Sequence, residues 1–210
     1  AITGRVFLLL SFAGDMTTWV KPFYYHGLSI GNQLSSSAGS LDLDAVTSAT
    51  PLVTGTESLS NLFLGNVGGC IGETSALALL LGGLFLIFTR VISPSTPIAY
   101  LGSLGILTFF HALATGGSLT EVPYALLSGG VMIGAFFMAT DYVTTPITTK
   151  GKWIFGIGCG ILTFVIREFA SMPEGCSFSI LLMNLLTPYI DKFTMTKPLG
   201  AKPIKQKEEA

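Results

Sequence analysis

Asp44-Ala45-Val46-Thr47-Ser48-Ala49-Thr50 places a carboxylate and three hydroxyls within one short run of small residues. A threonine hydroxyl such as that of Thr50 can esterify a phosphate. The small side chains of Thr47, Ser48 and Ala49 leave an enzyme room to reach the chain in an open conformation. Asp44 can cap a turn. Taken alone, the run suits a polar turn better than a modification site. A second candidate is the glycine run from Gly65 to Gly72, which precedes a helix expected to begin near Glu73. Glycines admit close approach of backbone to a ligand or another helix, and a helix N-terminus favours an anion. Tight entry of the chain into a bilayer explains this run more simply, and Glu73 reads as an interfacial acid before it reads as part of an ion path. Asp141, within Thr140-Asp141-Tyr142-Val143-Thr144-Thr145-Pro146, sits where hydroxyls and a carboxylate can satisfy backbone groups at a helix end that Pro146 terminates. His111 can serve proton movement, although a packed histidine is commoner. Arg167 and Glu168 are adjacent and therefore lie on different parts of a helix surface. Cys70, Cys159 and Cys176 are too widely spaced for a sequence-readable metal or iron–sulfur site, and they read as packing residues.

The elements that must hold these groups are membrane helices. Half of the residues are hydrophobic and 11% are charged, with a mean hydropathy of +0.66; soluble domains carry about 25% charged residues. The net charge of -1 and the lack of a basic cluster among aromatics exclude a nucleic-acid partner. A span needs about 20 mostly apolar residues. The candidates are approximately Ser75–Ile92, Ile98–Ala114, Tyr124–Thr140, Trp153–Ala170 and Phe178–Ile190. The last is short and contains Pro188, so it is expected to tilt, kink or cross incompletely. Glycines within the spans suit close helix approach in lipid. Residues 1–13 read as the end of an earlier crossing, 14–74 as an extracytoplasmic loop, 75–192 as a five-helix transmembrane domain and 193–210 as a cytoplasmic tail. The opening at Ala1 straight into apolar residues reads as entry partway through a longer polypeptide. Lys192, Lys197, Lys202, Lys205 and Lys207 share a side with Arg90, Lys150 and Lys152, so the positive-inside rule makes the tail cytoplasmic. The Asp44–Thr50 loop is then outside, with Lys21, Glu57, Glu121 and Glu174. Arg167 is the exception, near the outer end of its span, where it can snorkel.

Asp44–Thr50 resembles the recognition motif of ApbE-type flavin transferases, Asp-x-x-(Ser/Thr)-Gly-Ala-Thr, with Ser48 replacing the usual glycine. Those enzymes join FMN through its phosphate to the final threonine, and they characteristically work on the outer face of the bacterial membrane. The chain as a whole is similar to the family of the D subunit of the Rnf ion-translocating ferredoxin:NAD oxidoreductase and the B subunit of the sodium-pumping NADH:quinone reductase. The likeness is carried by Gly4-Arg5-Val6-Phe7-Leu8 with Met16-Thr17-Thr18-Trp19, by Asp44–Thr50 with Pro51-Leu52, and by Gly65–Glu73. It continues in Phe136-Phe137-Met138-Ala139-Thr140-Asp141, Pro173-Glu174-Gly175 and Leu182-Met183-Asn184.

The resemblance implies an all-α integral membrane protein of the bacterial cytoplasmic (inner) membrane. This chain would be the second half of an inverted-repeat bundle of about ten helices, urea-transporter-like in architecture, with an extracytoplasmic flavin-bearing loop. It implies covalent FMN on Thr50, with Asp44, Thr47 and Ser48 in the recognition motif, and a non-covalent riboflavin whose site these residues do not place. It implies as partners the other Rnf subunits, carriers of flavin and iron–sulfur groups, besides the flavin transferase and membrane lipid. The expected function is electron transfer coupled to Na⁺ or H⁺ movement. The alternatives are the quinone-reductase B subunit, or a flavin-free solute channel on the same scaffold.

Overall fold

A computed structural model describes residues 2–12, 19–20, 47–48, 58–65, 74–169 and 175–195. Helix α1 covers Ile2–Ser11. Two short strands, β1 (Trp19–Val20) and β2 (Thr47–Ser48), pair antiparallel with Trp19 opposite Ser48 and Val20 opposite Thr47. Then follow α2 (Leu59–Leu64), α3 (Ala76–Phe88), α4 (Ser95–Thr115), α5 (Glu121–Leu127) and α6 (Val131–Ile133), which continues as a π-helical turn over Gly134–Met138. The last two are α7 (Thr149–Phe169) and α8 (Gly175–Thr194).

Local chemistry sets the ends. Ser75 caps α3, its Oγ accepting the Ala78 N–H at 3.3 Å; the helix therefore begins at Ala76, next to the expected start of the Ser75–Ile92 span and three residues after Glu73. Helix α4 starts behind Pro94 and carries Pro97 in its first turn, where a missing N–H leaves no helical bond unmade. It stops at Gly116, whose left-handed backbone (φ 70°) lets its N–H reach the Ala112 carbonyl. Helix α8 runs through Pro188 without ending.

Among the described residues, α4 and α7, of 21 residues each, are long and apolar enough to cross a membrane. The pair α5 and α6 with its π-turn makes a third only if it counts as one broken span, since its two arms meet at 63°. Helix α3, with 13 residues, reaches about 20 Å, short of the ~30 Å hydrocarbon core.

Helix α7 is central, packed on α4 at one side and α8 at the other. Helices α4 and α7 run parallel and unusually close. A Cβ on Gly156 would stand 2.8 Å from the Thr96 carbonyl oxygen, and one on Gly160 equally close to that of Tyr100, so only glycine fits this seam. The core around it joins Tyr100, Phe155, Cys159, Cys176, Ile180 and Met183, with Ile2 and Val6 of α1 on its border. Phe85, Phe88, Ile106, Phe110 and Leu113 are exposed on the outer surfaces, as lipid-facing or subunit-facing positions are. The hydrogen bond from Tyr142 to the Val91 carbonyl and that from Ile147 N–H to Asp191 gather the turns before α4 and α7 and the end of α8. Arg90, Lys150, Lys152 and Lys192 thus collect at one end of the bundle.

Candidate functional site

Of the predicted flavin-motif residues, Asp44 and Thr50 lie outside the described residues, as do Glu73, Cys70, Glu174 and most of the glycine run. Thr47 and Ser48 are strand β2, tied to Trp19–Val20 just beyond α1. Two peptide units then limit Thr50 to about 7 Å from Ser48.

The first glycine of the run shows why glycine is needed there. Gly65 ends α2 with φ 97°, and a Cβ on it would fall 2.8 Å from the Cβ of Ser75. The chain therefore leaves and re-enters this point between two touching residues, which fits a tight entry into α3.

At the other break, the connection Ser128-Gly129-Gly130 interrupts a span that its apolarity alone makes continuous. Broken helices leave carbonyls without partners, and in lipid those must be satisfied by protein. Arg167 does this from α7: its guanidinium donates to the carbonyls of Ala125 at 2.8 Å and Ser128 at 3.2 Å. The Cys176 thiol donates to the Gly130 carbonyl at 3.4 Å. Arg167 accordingly serves the break rather than snorkelling to water. Glu168, one residue on and turned about 100° around the helix, lies 3.8 Å from His111 Nε2, and the His111 ring packs edge-on against Phe164.

Next to the break lies a buried polar chain that sequence reasoning missed. Tyr100 Oη and Thr163 Oγ1 are 2.7 Å apart, and Tyr100 Oη also donates to Cys176 Sγ at 3.1 Å. Thr163 Oγ1 and Ser179 Oγ are 2.7 Å apart as well. All four residues are buried. Cys159 and Cys176 are buried thiols outside any disulfide, as packing residues should be, but Cys176 has this polar role besides. The available signal was modest: hydroxyl residues inside otherwise apolar spans, where each needs a partner.

Asp141 lines a cavity of about 460 Å³ with Arg5, Thr144 and Asn184. Its walls are completed by apolar residues including Phe137 of the π-turn and Met138. The lining thus joins apolar side chains to several polar and charged ones, groups of the kind that orient a bound small molecule. The hydroxyls around Asp141 act as expected at a helix end. Thr140 donates to the Phe136 carbonyl at 2.7 Å, and Thr145 to the Asp141 carbonyl at 2.7 Å. Among the described residues no group of three His, Cys, Asp or Glu side chains converges as a metal site.

Comparison with known proteins gives one consistent result. The model of the NQR2, RnfD, RnfE family matches residues 1–200. The D subunit of the Na(+)-translocating ferredoxin:NAD(+) oxidoreductase complex of Acetobacterium woodii is 44% identical, the match covering 100% of this chain and 61% of that protein. The D subunit of the proton-translocating ferredoxin:NAD(+) oxidoreductase complex of Clostridium ljungdahlii is 42% identical over 95% of this chain and 60% of its own length. The D subunit of an ion-translocating oxidoreductase complex of Rhodobacter capsulatus is 40% identical over 83% of this chain and 54% of its own. The chain thus spans about three-fifths of the length of these relatives.

Proposed function

The chain belongs to the NQR2, RnfD, RnfE family, and on that premise we propose that it is a membrane electron-transfer subunit carrying FMN covalently on Thr50, in an ion-translocating ferredoxin:NAD oxidoreductase complex. The observation that carries this reading is the Asp44–Thr50 motif standing inside a chain that matches the family over nearly its whole length. The flavin, when bound, supplies the capacity to accept and pass electrons.

The chain's own residues have three tasks. Thr50 holds the phosphate through its hydroxyl and so keeps the cofactor from escaping outside the cell. Asp44, Thr47 and Ser48 present the segment to an ApbE-type transferase, and the β1–β2 ladder ties it to the polypeptide after α1. The helical domain fixes the carrier in the bacterial cytoplasmic membrane as one half of an inverted repeat. The clustering of Arg90, Lys150, Lys152 and Lys192 supports an orientation with that end in the cytoplasm and the threonine loop outside. Partner subunits bearing flavin and iron–sulfur groups exchange electrons with it, and riboflavin is a second, non-covalent cofactor.

The relatives' names favour ferredoxin and NAD over NADH and quinone as the redox couple of the complex. They divide between Na⁺ and H⁺ as the translocated ion. Thr50→Val in the native host is expected to give a membrane-inserted, normally abundant chain that shows no flavin fluorescence on a denaturing gel. A fluorescent band of undiminished intensity from that variant overturns the assignment of Thr50.

A further inference from the structure

A second binding surface lies on the flank of the bundle, away from the cavity at Asp141. Helices α4 and α7 enclose a groove of about 450 Å³ lined by Ile98, Gly102, Ile106, Trp153, Ile157 and Ile161 among others. Its lining is almost wholly carbon. The hydroxyl within it, Ser103, donates to the Tyr100 carbonyl at 3.1 Å and so asks for no partner. We infer that this groove holds an acyl chain of an anionic phospholipid whose phosphate rests against Lys150.

Length and charge argue for this occupant. Ile98, Gly102 and Ile106 recur every four residues along α4, and Trp153, Ile157 and Ile161 do so along α7, so each set is one stripe. The stripes run about 12 Å along the helices. That is most of one leaflet's half of a ~30 Å hydrocarbon core, and well under the length a docked transmembrane helix would occupy. Because α4 and α7 are parallel, both stripes start at the same end of the bundle, where the positive charges gather. Lys150 is exposed and precedes Trp153 by three positions and Ile157 by seven, which puts it on the groove's own face of α7. Lys152 is half-buried beside it. No acidic residue occurs in 91–107 or 149–161. At the same end, Asp191 accepts the Ile147 N–H at 3.1 Å, and Asp141 borders the separate cavity. Trp153 lies next to the lysines, the order of aromatic and basic residues found at a membrane–water boundary. The floor at Gly102 is open: a Cβ there meets nothing within 4 Å.

The test uses the intact membrane complex containing this chain, exchanged into equimolar phosphatidylglycerol and phosphatidylcholine, with retained lipids counted by native mass spectrometry. Wild type is expected to retain phosphatidylglycerol in preference. Gly102→Leu, whose Cβ meets no protein atom within 4 Å and whose larger side chain extends into the groove, should reduce that retention to the phosphatidylcholine level. Lys150→Glu should lower it roughly fivefold, and Lys150→Arg should preserve it. Equal retention of both lipids by wild type overturns the proposal. So does undiminished phosphatidylglycerol in Gly102→Leu or Lys150→Glu. Efficient cross-linking of Gly102→Cys to another subunit overturns it too, by giving the groove to protein. An unfolding midpoint for each variant separates lipid loss from misfolding, and the exposed Lys150 pair decides the question if Gly102→Leu is destabilised.

Discussion

Helices α4 and α7 and the broken pair α5–α6 solve one problem, the polarity of backbone in an apolar setting, by opposite means. The first pair keeps its hydrogen bonds internal, and Gly156 and Gly160 let two intact backbones touch. The second gives up continuity at Ser128–Gly130, and side chains from elsewhere make good the loss: Arg167 from α7 and Cys176 from α8. The comparison teaches where sequence substitution is tolerated. A regular seam depends on the absence of side chains, whereas a break depends on the presence of particular ones.

Removing Arg167 is the strongest way to break that contrast. Arg167→Ala should destabilise the protein by about 3 kcal/mol, since it strips a charged donor from two carbonyls, and Arg167→Lys should recover part of the loss. Denaturant titration of the solubilised protein measures it; wild-type stability in the alanine variant would mean that water serves those carbonyls equally well. Next comes Gly160→Leu, which forces α4 and α7 apart and should cost about 2 kcal/mol in the same assay, with Gly102→Leu as a silent control on the same pair. The smallest effect belongs to the buried hydroxyl chain. Thr163→Val keeps the shape but removes the shared hydroxyl between Tyr100 and Ser179, and it should cost about 1 kcal/mol. A loss as large as that of Arg167→Ala would make this chain, and not the break, the main polar support of the core.

The same contrast explains what the sequence disclosed. The centres of α4, α7 and α8 were legible because apolar length and flanking charges are local signals. Ile98–Ala114 and Trp153–Ala170 come within four residues of the observed ends of α4 and α7. The span Phe178–Ile190 already ran past Pro188, and α8 does so; beside the proline, Thr187 donates to the Thr144 carbonyl at 2.9 Å. The break within Tyr124–Thr140 was not legible. Hydropathy is blind to whether a glycine pair serves close packing or a sharp bend, and the residue that makes the bend tenable lies about forty positions away, at Arg167. Short helix α2 was hidden for a related reason: its six residues are too few to show a periodic face. The proposed role of Asp44–Thr50 rests on contiguous residue types rather than on a fold, and its end residues Asp44 and Thr50 lie outside the described residues.

Attachment of the flavin is the claim on which the functional account turns, and peptide-mapped mass spectrometry of protein purified from a host with a competent flavin transferase tests it most directly. The account predicts that the peptide containing Thr50 is heavier by one FMN less one water, with the added mass localised to that threonine. An unmodified Thr50 peptide from such material, or the same added mass on a different residue, would contradict it.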